Sequence, residues 1–499
     1  MTNRFLFATM TLVATFASTL ISDLSYGQEK NIPMIYSTDL YHPHCDPDDH
    51  YDLAIIAMLP EFDVKAFIFD LGTETRGRSW TTVGMPALKQ IYEIMDRPLP
   101  PNAIGAIDLM ESVDDKGLDQ PEQFQKGVEL ILQTLRDADE PITMFLVGSC
   151  RDFAFAYNRD PDLLKDKVNA VYVNAGNGPD GKQVEWNVTL DPYAYETLMM
   201  SKLPVFWCPC FGHQNMRLAT DEDVEQGSAF GTYYLVRNQA ELLADVRPEL
   251  KNFFNYMFKH STDDPIDYLG RTPDPLPTSG RNMWCTGPFL HAAGREIYET
   301  SPGVFDAIPI EQAGKLGIAD KRVEVYSFDP LSIEVADSGA EPVIESNLPQ
   351  ATFHGIHVDK LAEKRFEPDG KNDCHVSFDA RSTQAKITAV TVTGPNNGRW
   401  ESGNSDRWWK VLAEREGATI NCYFCFYANG QHEIELEFDD NTTHTVVCYV
   451  KGGRPSVPTF TSDLSPKALE ETNVKVFRYT DTRYNEILLE VLEKLLNEI

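Results

Sequence analysis

Pro33-Met-Ile-Tyr-Ser-Thr38 is followed at once by Asp39-Leu-Tyr-His-Pro-His-Cys-Asp-Pro-Asp-Asp-His-Tyr-Asp52 and then by Leu53-Ala-Ile-Ile-Ala-Met-Leu59. The first piece is almost continuously apolar, which predicts a strand buried on both faces. The last piece, read from Asp52, carries helical periodicity. Between them lies an acidic loop, with Asp39 at the carboxyl end of the strand and Asp52 in the first helical turn. A strand, a loop and a helix in this order open a crossover unit of an α/β sheet.

The same texture continues to about Leu203. Val64–Phe69, Ile142–Val147, Ala170–Val173 and Pro204–Trp207 read as further buried strands. Stretches 52–59, 87–95 and 128–135 read as the helices between them. The expected fold is therefore an open, mostly parallel, Rossmann-like α/β sheet with helices on both faces. Such sheets bind ligands beyond the carboxyl ends of their strands, where the acidic loop falls.

After about Gly339 the pattern changes to alternation. Ala385–Thr393 and His432–Phe438 read as half-exposed antiparallel strands. Asn429-Gly430 is expected to join Asn421–Tyr427 to His432–Phe438 as a hairpin. A C-terminal antiparallel β-sandwich is expected over residues 341–460, after an α/β domain over 28–340. In segment 461–499, Tyr484, Ile487, Leu488, Val491, Leu492, Leu495 and Ile499 form an amphipathic stripe, with Asp481 or Thr482 as its cap. That helix is expected to return to the α/β domain.

The chain has 499 residues, with 44 basic and 76 acidic side chains and a formal charge of −32. Such acidity argues against nucleic acid, whose phosphates need clustered Lys and Arg, and against anionic membrane surfaces. Arg4, the apolar run from Phe5 to Ile21 and Ser25-Tyr-Gly27 read as a signal peptide over residues 1–27. The alternative, a membrane anchor, needs a longer run. The protein is expected to be secreted or periplasmic, with no membrane insertion after signal removal.

Asp39, Asp46, Asp48, Asp49 and Asp52 would repel one another at the sheet edge unless a cation joins them. A hard divalent ion with oxygen ligands, Ca2+ for example, answers that need. The plainer account is that Asp48 and Asp49 complement the helix dipole while Asp46 caps the turn. A zinc site built on His42, His44, Cys45 and His50 is the rival, disfavoured because carboxylates outnumber imidazoles here.

These residues resemble the inosine/uridine-preferring nucleoside hydrolases, whose hallmark is an Asp-rich loop after the first strand. The similarity extends to Asp96–Ala106, Ile142–Ala154 with Asp160–Leu164, Asn174-Ala-Gly-Asn177, Glu185-Trp-Asn187, Asp191-Pro192 and Ser327-Phe-Asp-Pro330. It covers roughly residues 31–335. The loop here is longer than the family's usual form. The resemblance implies hydrolysis of the N-glycosidic bond of a ribonucleoside, with a small-molecule nucleoside as substrate and the homo-oligomers usual for such enzymes. It implies Asp39 as general base and metal ligand, with Asp48, Asp49, the Val147 carbonyl and Asp329 completing the Ca2+ shell. Asn177, Glu185 and Asn187 would hold the sugar.

One departure stands out. The resemblance places a His before the distal Asp, and this chain has Phe328, which could stack on a base. His291 and His213 remain as leaving-group acids by elimination, though a structural role suits each better. Cys422 and Cys425 should face opposite ways on a strand, so no bridge joins them. Trp400, Trp408 and Trp409 suit a core or interface more than a sugar platform. Two other functions stay open: a nucleoside- or sugar-binding protein without turnover, and a hydrolase of another glycoside whose sandwich binds glycan.

Overall fold

The computed structural model describes residues 31–40, 47–70, 80–179, 185–212, 217–335, 351–356, 373–379, 384–394, 399–402, 411–425, 430–450, 460–463 and 465–498. Residues 1–27, His42, His44, Cys45, Asp46, His213, Trp408, Trp409, Tyr427, Asn429 and Ile499 lie outside them.

The strands β1 (Ile32–Thr38), β2 (Phe62–Phe69), β3 (Asn102–Ile104), β4 (Ile142–Leu146), β5 (Val168–Val173) and β6 (Val205–Trp207) belong to one eight-stranded sheet. Across it the order is Tyr326–Pro330, Val474–Tyr479, β6, β5, β4, β1, β2, β3. Every neighbouring pair is parallel except the outermost, Tyr326–Pro330 against Val474–Tyr479. β1 thus sits well inside the sheet, and its backbone is buried from both sides, as its apolar run requires. Cores pack on the two faces of the sheet, one including Tyr36, Phe67, Phe145 and Phe289, the other Ile35, Ile68, Met144 and Trp207. The alternation of side chains along each strand sorts them.

The mostly parallel fold is the one the sequence led us to expect. The strand at Val474–Tyr479 carries no equally plain signal, yet it completes the sheet beside β6. The helix Tyr484–Leu496 follows directly, and its buried stripe packs against the helix Asp48–Met58 and the strand Val304–Pro309. Its cap differs from expectation. Arg483 is the capping residue and offers no side-chain bond. Asp481 instead accepts from the Arg483 backbone N–H at 2.8 Å and pairs with its guanidinium, while Thr482 donates to Asp221.

In the C-terminal region two four-stranded antiparallel sheets share one apolar core that includes Val376, Val392, Phe424, Leu436 and Val446. The expected Asn429-Gly430 hairpin is not formed. Thr419–Cys425 and Gly430–Phe438 belong to different sheets, each pairing elsewhere. Ile420 and Phe424 on one and Ile434 and Leu436 on the other fill the shared core, so the chain crosses between sheets where a hairpin would have kept it in one. The real tight turns lie at Gly417 (φ 62°) and Asn441 (φ 62°), both left-handed.

Leu488→Ala, at a fully buried position of the last helix, should lower unfolding stability by about 2–5 kcal/mol. Glu486→Ala on its exposed face should change it by less than about 0.5 kcal/mol. Urea titration of both variants checks this, and equal midpoints would mean the stripe has no tertiary partner.

Candidate active site

The carboxyl ends of β1, β2, β4 and β5 converge on one line. Asp70 N–H donates to the Thr38 carbonyl at 2.9 Å, Val147 N–H to Ser37 at 3.0 Å, and Asn174 N–H to Leu146 at 2.9 Å. Asp39, Asp70, Val147 and Asn174 are therefore the first residues past four adjacent strands. Over this edge sits the start of the helix Asp48–Met58, which brings Asp48, Asp49 and Asp52. Asp39, Asp48, Asp49 and Asp52 are all buried.

Their electrostatics follow from burial without a nearby compensating charge. Asp39 is pushed up to about 8, first by loss of water, then by Asp70, with Asp48 adding to it. A hydrogen bond to the Asp49 carboxyl works the other way. Asp49 is raised too, by burial and by Asp39, Asp48 and Asp52. Asp52 is raised by burial and Asp48. It accepts from Thr286 Oγ1 at 2.8 Å, but its Oδ2 has no hydrogen-bond partner. Neighbouring acids with an unmet acceptor are what a divalent cation would satisfy.

Among the described residues, Asp48, Asp49 and Cys285 are the group of acid, thiol or imidazole donors close enough together to hold a cation, their ligand atoms lying within 4.8 Å of one another. Cys285 Sγ is 3.7 Å from Asp48 Oδ2 and 2.6 Å from Asn174 Oδ1. Cys285 and Thr286 come from the turn between the strand Arg281–Met283 and the helix Gly287–Ala292. The sequence reading passed over them. The Thr286-Gly287-Pro288 helix start after a short strand was the available signal, since it repeats the strand–loop–helix form of the first loop.

Asn187 is oriented toward this edge. Its side-chain N–H groups donate to the carbonyls of Val147 at 3.2 Å and Asn174 at 2.9 Å. That leaves its Oδ1 as the amide's acceptor for a hydroxyl. Glu185 holds Asn187 in place. Its carboxylate caps the short helix Trp186–Leu190, accepting from the backbone N–H groups of Gly176, Asn187 and Val188. Its oxygens are thus spent on backbone, and the expected contact of Glu185 with sugar becomes a positioning role. Asn177 lies in the turn beyond β5, bridged to Phe211.

Asp329 is not part of this cluster, contrary to expectation. Its register partners run Asp329, Val476, Trp207, Val173, Leu146, Ser37 across the sheet. Five strand spacings of ~4.8 Å put it about 24 Å from the β1 end. There it pairs with Arg478, whose Nε donates at 2.7 Å. Phe328 points to the opposite face, into rings of Phe206, His291 and Phe477 at 5.1, 4.5 and 5.4 Å. It packs a core rim and does not meet the acidic edge. His291 Nδ1 shares a hydrogen bond of 2.7 Å with Tyr172, and burial pushes it down to about 4, which suits a structural histidine. His50 is buried against Phe253 and pushed down to about 3.

Beneath the site, Arg151 and Asp191 form a fully buried pair at 2.8 Å. The guanidinium also donates to the carbonyls of Ala106, Ile107 and Leu190. Beside it Asp70 clasps Ser149, through the backbone N–H and through Oγ at 2.7 Å. Gly148 makes this possible, because a Cβ there would stand 2.2 Å from Asp70 Oδ2.

No family model matches the chain. In sequence it is 29% identical over 181 residues to the pyrimidine-specific ribonucleoside hydrolase RihA of Escherichia coli O1:K1, covering 32% of this chain and 57% of that protein. The chain is similar to ribonucleoside hydrolases. It spans little more than half the length of these relatives. Among solved structures, a purine-preferring ribonucleoside hydrolase from Gardnerella vaginalis aligns at 15% identity over 62% of this chain and 85% of that one, with a TM-score of 0.33. An inosine-uridine preferring nucleoside hydrolase from Bacillus anthracis aligns at 12% identity over 51% and 93%, with a TM-score of 0.28.

A carboxyl raised in the folded state is held more tightly protonated there than in the unfolded chain. Stability therefore falls as pH rises from the ordinary carboxylate range through the folded value. Chelator-treated protein should show a Tm that declines between about pH 5 and about pH 8, and a saturating divalent cation or Asp39→Asn should flatten the decline. A Tm that is flat or rises over this range would contradict the buried-acid account. Independently, Arg151→Met should cost about 3–5 kcal/mol of stability by leaving Asp191 buried and unpaired, measured by denaturant melts.

Proposed function

We propose that the protein hydrolyses the N-glycosidic bond of a ribonucleoside with the help of a divalent cation, releasing free base and ribose. The supporting observation is that Asp39, Asp48 and Asp49 crowd together out of water at the sheet edge where Asn187 is held against the Val147 carbonyl. The similarity to ribonucleoside hydrolases over 181 residues adds to it.

Cleavage of such a bond builds positive charge at the anomeric carbon. The buried carboxylates favour that charge as it develops. Asp39, buried at the end of β1, takes the proton of the attacking water. Asp48, Asp49 and the Val147 carbonyl would hold the cation, which when bound supplies a more acidic water and a grip on vicinal hydroxyls. Asn187, fixed by two backbone carbonyls and by Glu185, accepts from a sugar hydroxyl and sets the ring against the base.

The departing base needs a partner other than Phe328 or His291. Trp284, next to Cys285, is the residue so placed. Its Nε1–H is buried without a partner, and its ring meets Phe211 at 5.8 Å and Tyr233 at 6.1 Å. An indole offers a base both a flat face and a donor. The two carboxylates and the carbonyl are hard oxygen donors that suit calcium. The sulfur of Cys285 is the donor that does not. Residues 4–27 support export, so the reaction would take place outside the cytoplasm.

Purified protein incubated with purine and pyrimidine nucleosides should release free base, and chelation should abolish release. Asp39→Asn should lower kcat by about 10²–10⁴-fold with retained fold. Nucleoside binding without any base release would favour a binding protein on the same scaffold.

A further inference from the structure

We propose that Cys285 is a metal ligand, and that its sulfur makes this centre select a thiophilic divalent ion, zinc or cobalt, over calcium. The inference rests on the cation-dependent reading above and concerns which ion that site takes.

The donor set carries it first. Asp48, Asp49 and Cys285 are all buried and present ligand atoms within 4.8 Å of one another. A sulfur at ~2.3 Å and a carboxylate oxygen at ~2.0 Å from one tetrahedral zinc stand about 3.5 Å apart. Cys285 Sγ and Asp48 Oδ2 are 3.7 Å apart. Calcium, by contrast, gathers six to eight oxygens. The distal carboxylate that would help supply them, Asp329, is paired with Arg478 across the sheet.

A separate observation points to a missing ligand. Asp52 is wholly buried beside Asp48 and Cys285; its Oδ1 accepts from Thr286 and the Cys285 thiol leans on the same carboxyl, yet its Oδ2 has no hydrogen bond of ordinary geometry. A cation drawn toward Cys285 would meet that oxygen as well. A further sulfur stands close by, since Cys210 Sγ lies 3.7 Å from the same Asn174 oxygen that Cys285 touches. Sulfur donors raise affinity for zinc and cobalt far more than for calcium, whose bonding is to hard oxygen. The competing account gives the thiol a lesser task, that of a hydrogen-bond donor between Asp48 and Asn174.

The test uses the full chain, freed of metal and titrated with Co2+, Zn2+ and Ca2+. Co2+ should produce a near-ultraviolet sulfur-to-cobalt charge-transfer band in the unaltered protein. Cys285→Ser, checked for fold by circular dichroism, should lose it. Zn2+ should displace cobalt at concentrations at least about tenfold below those at which Ca2+ does. Cys285→Asp should shift that preference toward Ca2+ by a similar factor. Calcium binding as tightly as zinc, with no charge-transfer band, would overturn the proposal. So would a band that survives in Cys285→Ser. If no ion binds, the cation-dependent reading falls with it. A cobalt band in a protein that releases no base would remove only the hydrolase reading.

Discussion

The constraint that organises this protein is the burial of several carboxylates at the carboxyl edge of a parallel sheet. Asp39, Asp48, Asp49 and Asp52 lie out of water, and the charged groups acting on Asp39 and Asp49 are other acids. Such an arrangement is costly to a folded chain unless protons or a cation neutralise it. It persists because the backbone leaves no choice. Asp39 follows a central strand, and Asp48, Asp49 and Asp52 lie on the helix that strand feeds.

The surrounding polar structure holds that edge rigid. Arg151 neutralises Asp191 and gathers three carbonyls, so one buried charge pins the β4 turn to the segments before and after it. Asp70 and Glu185 act in the same manner, Asp70 accepting from the Ser149 backbone N–H and hydroxyl and Glu185 from three backbone N–H groups. Three acids in this region are therefore scaffolding, and Asp39, Asp48, Asp49 and Asp52 act chiefly on one another. The difference between the two sets lies in their hydrogen bonds, since all are buried alike.

The aromatic cluster around Phe328 shows how a short motif can mislead. Ser327-Phe-Asp-Pro330 has the look of a site because it falls where the resemblance to nucleoside hydrolases places a His-Asp pair. On a strand, adjacent residues point to opposite faces, so Phe328 enters a ring cluster and Asp329 meets Arg478. The edge position of that strand, far from β1, comes from Val474–Tyr479 inserting between it and β6. A strand supplied by the chain's last thirty or so residues thereby decides where an earlier one can lie.

The sequence by itself determined the strand–loop–helix units, the parallel sheet and the acidic loop at its edge, because these depend on local periodicity and on residues close in the chain. The placing of Asp39 and Val147 just past strand ends, and of Asp48 and Asp49 at a helix start, was legible for that reason. Only the tertiary structure decided that Cys285 lies beside Asp48, that Asp329 lies far across the sheet, and that Thr419–Cys425 and Gly430–Phe438 belong to different sheets. Each of these turns on which distant strands become neighbours. That choice is set by how whole faces bury one another, a sum over many residues that no short stretch of sequence contains.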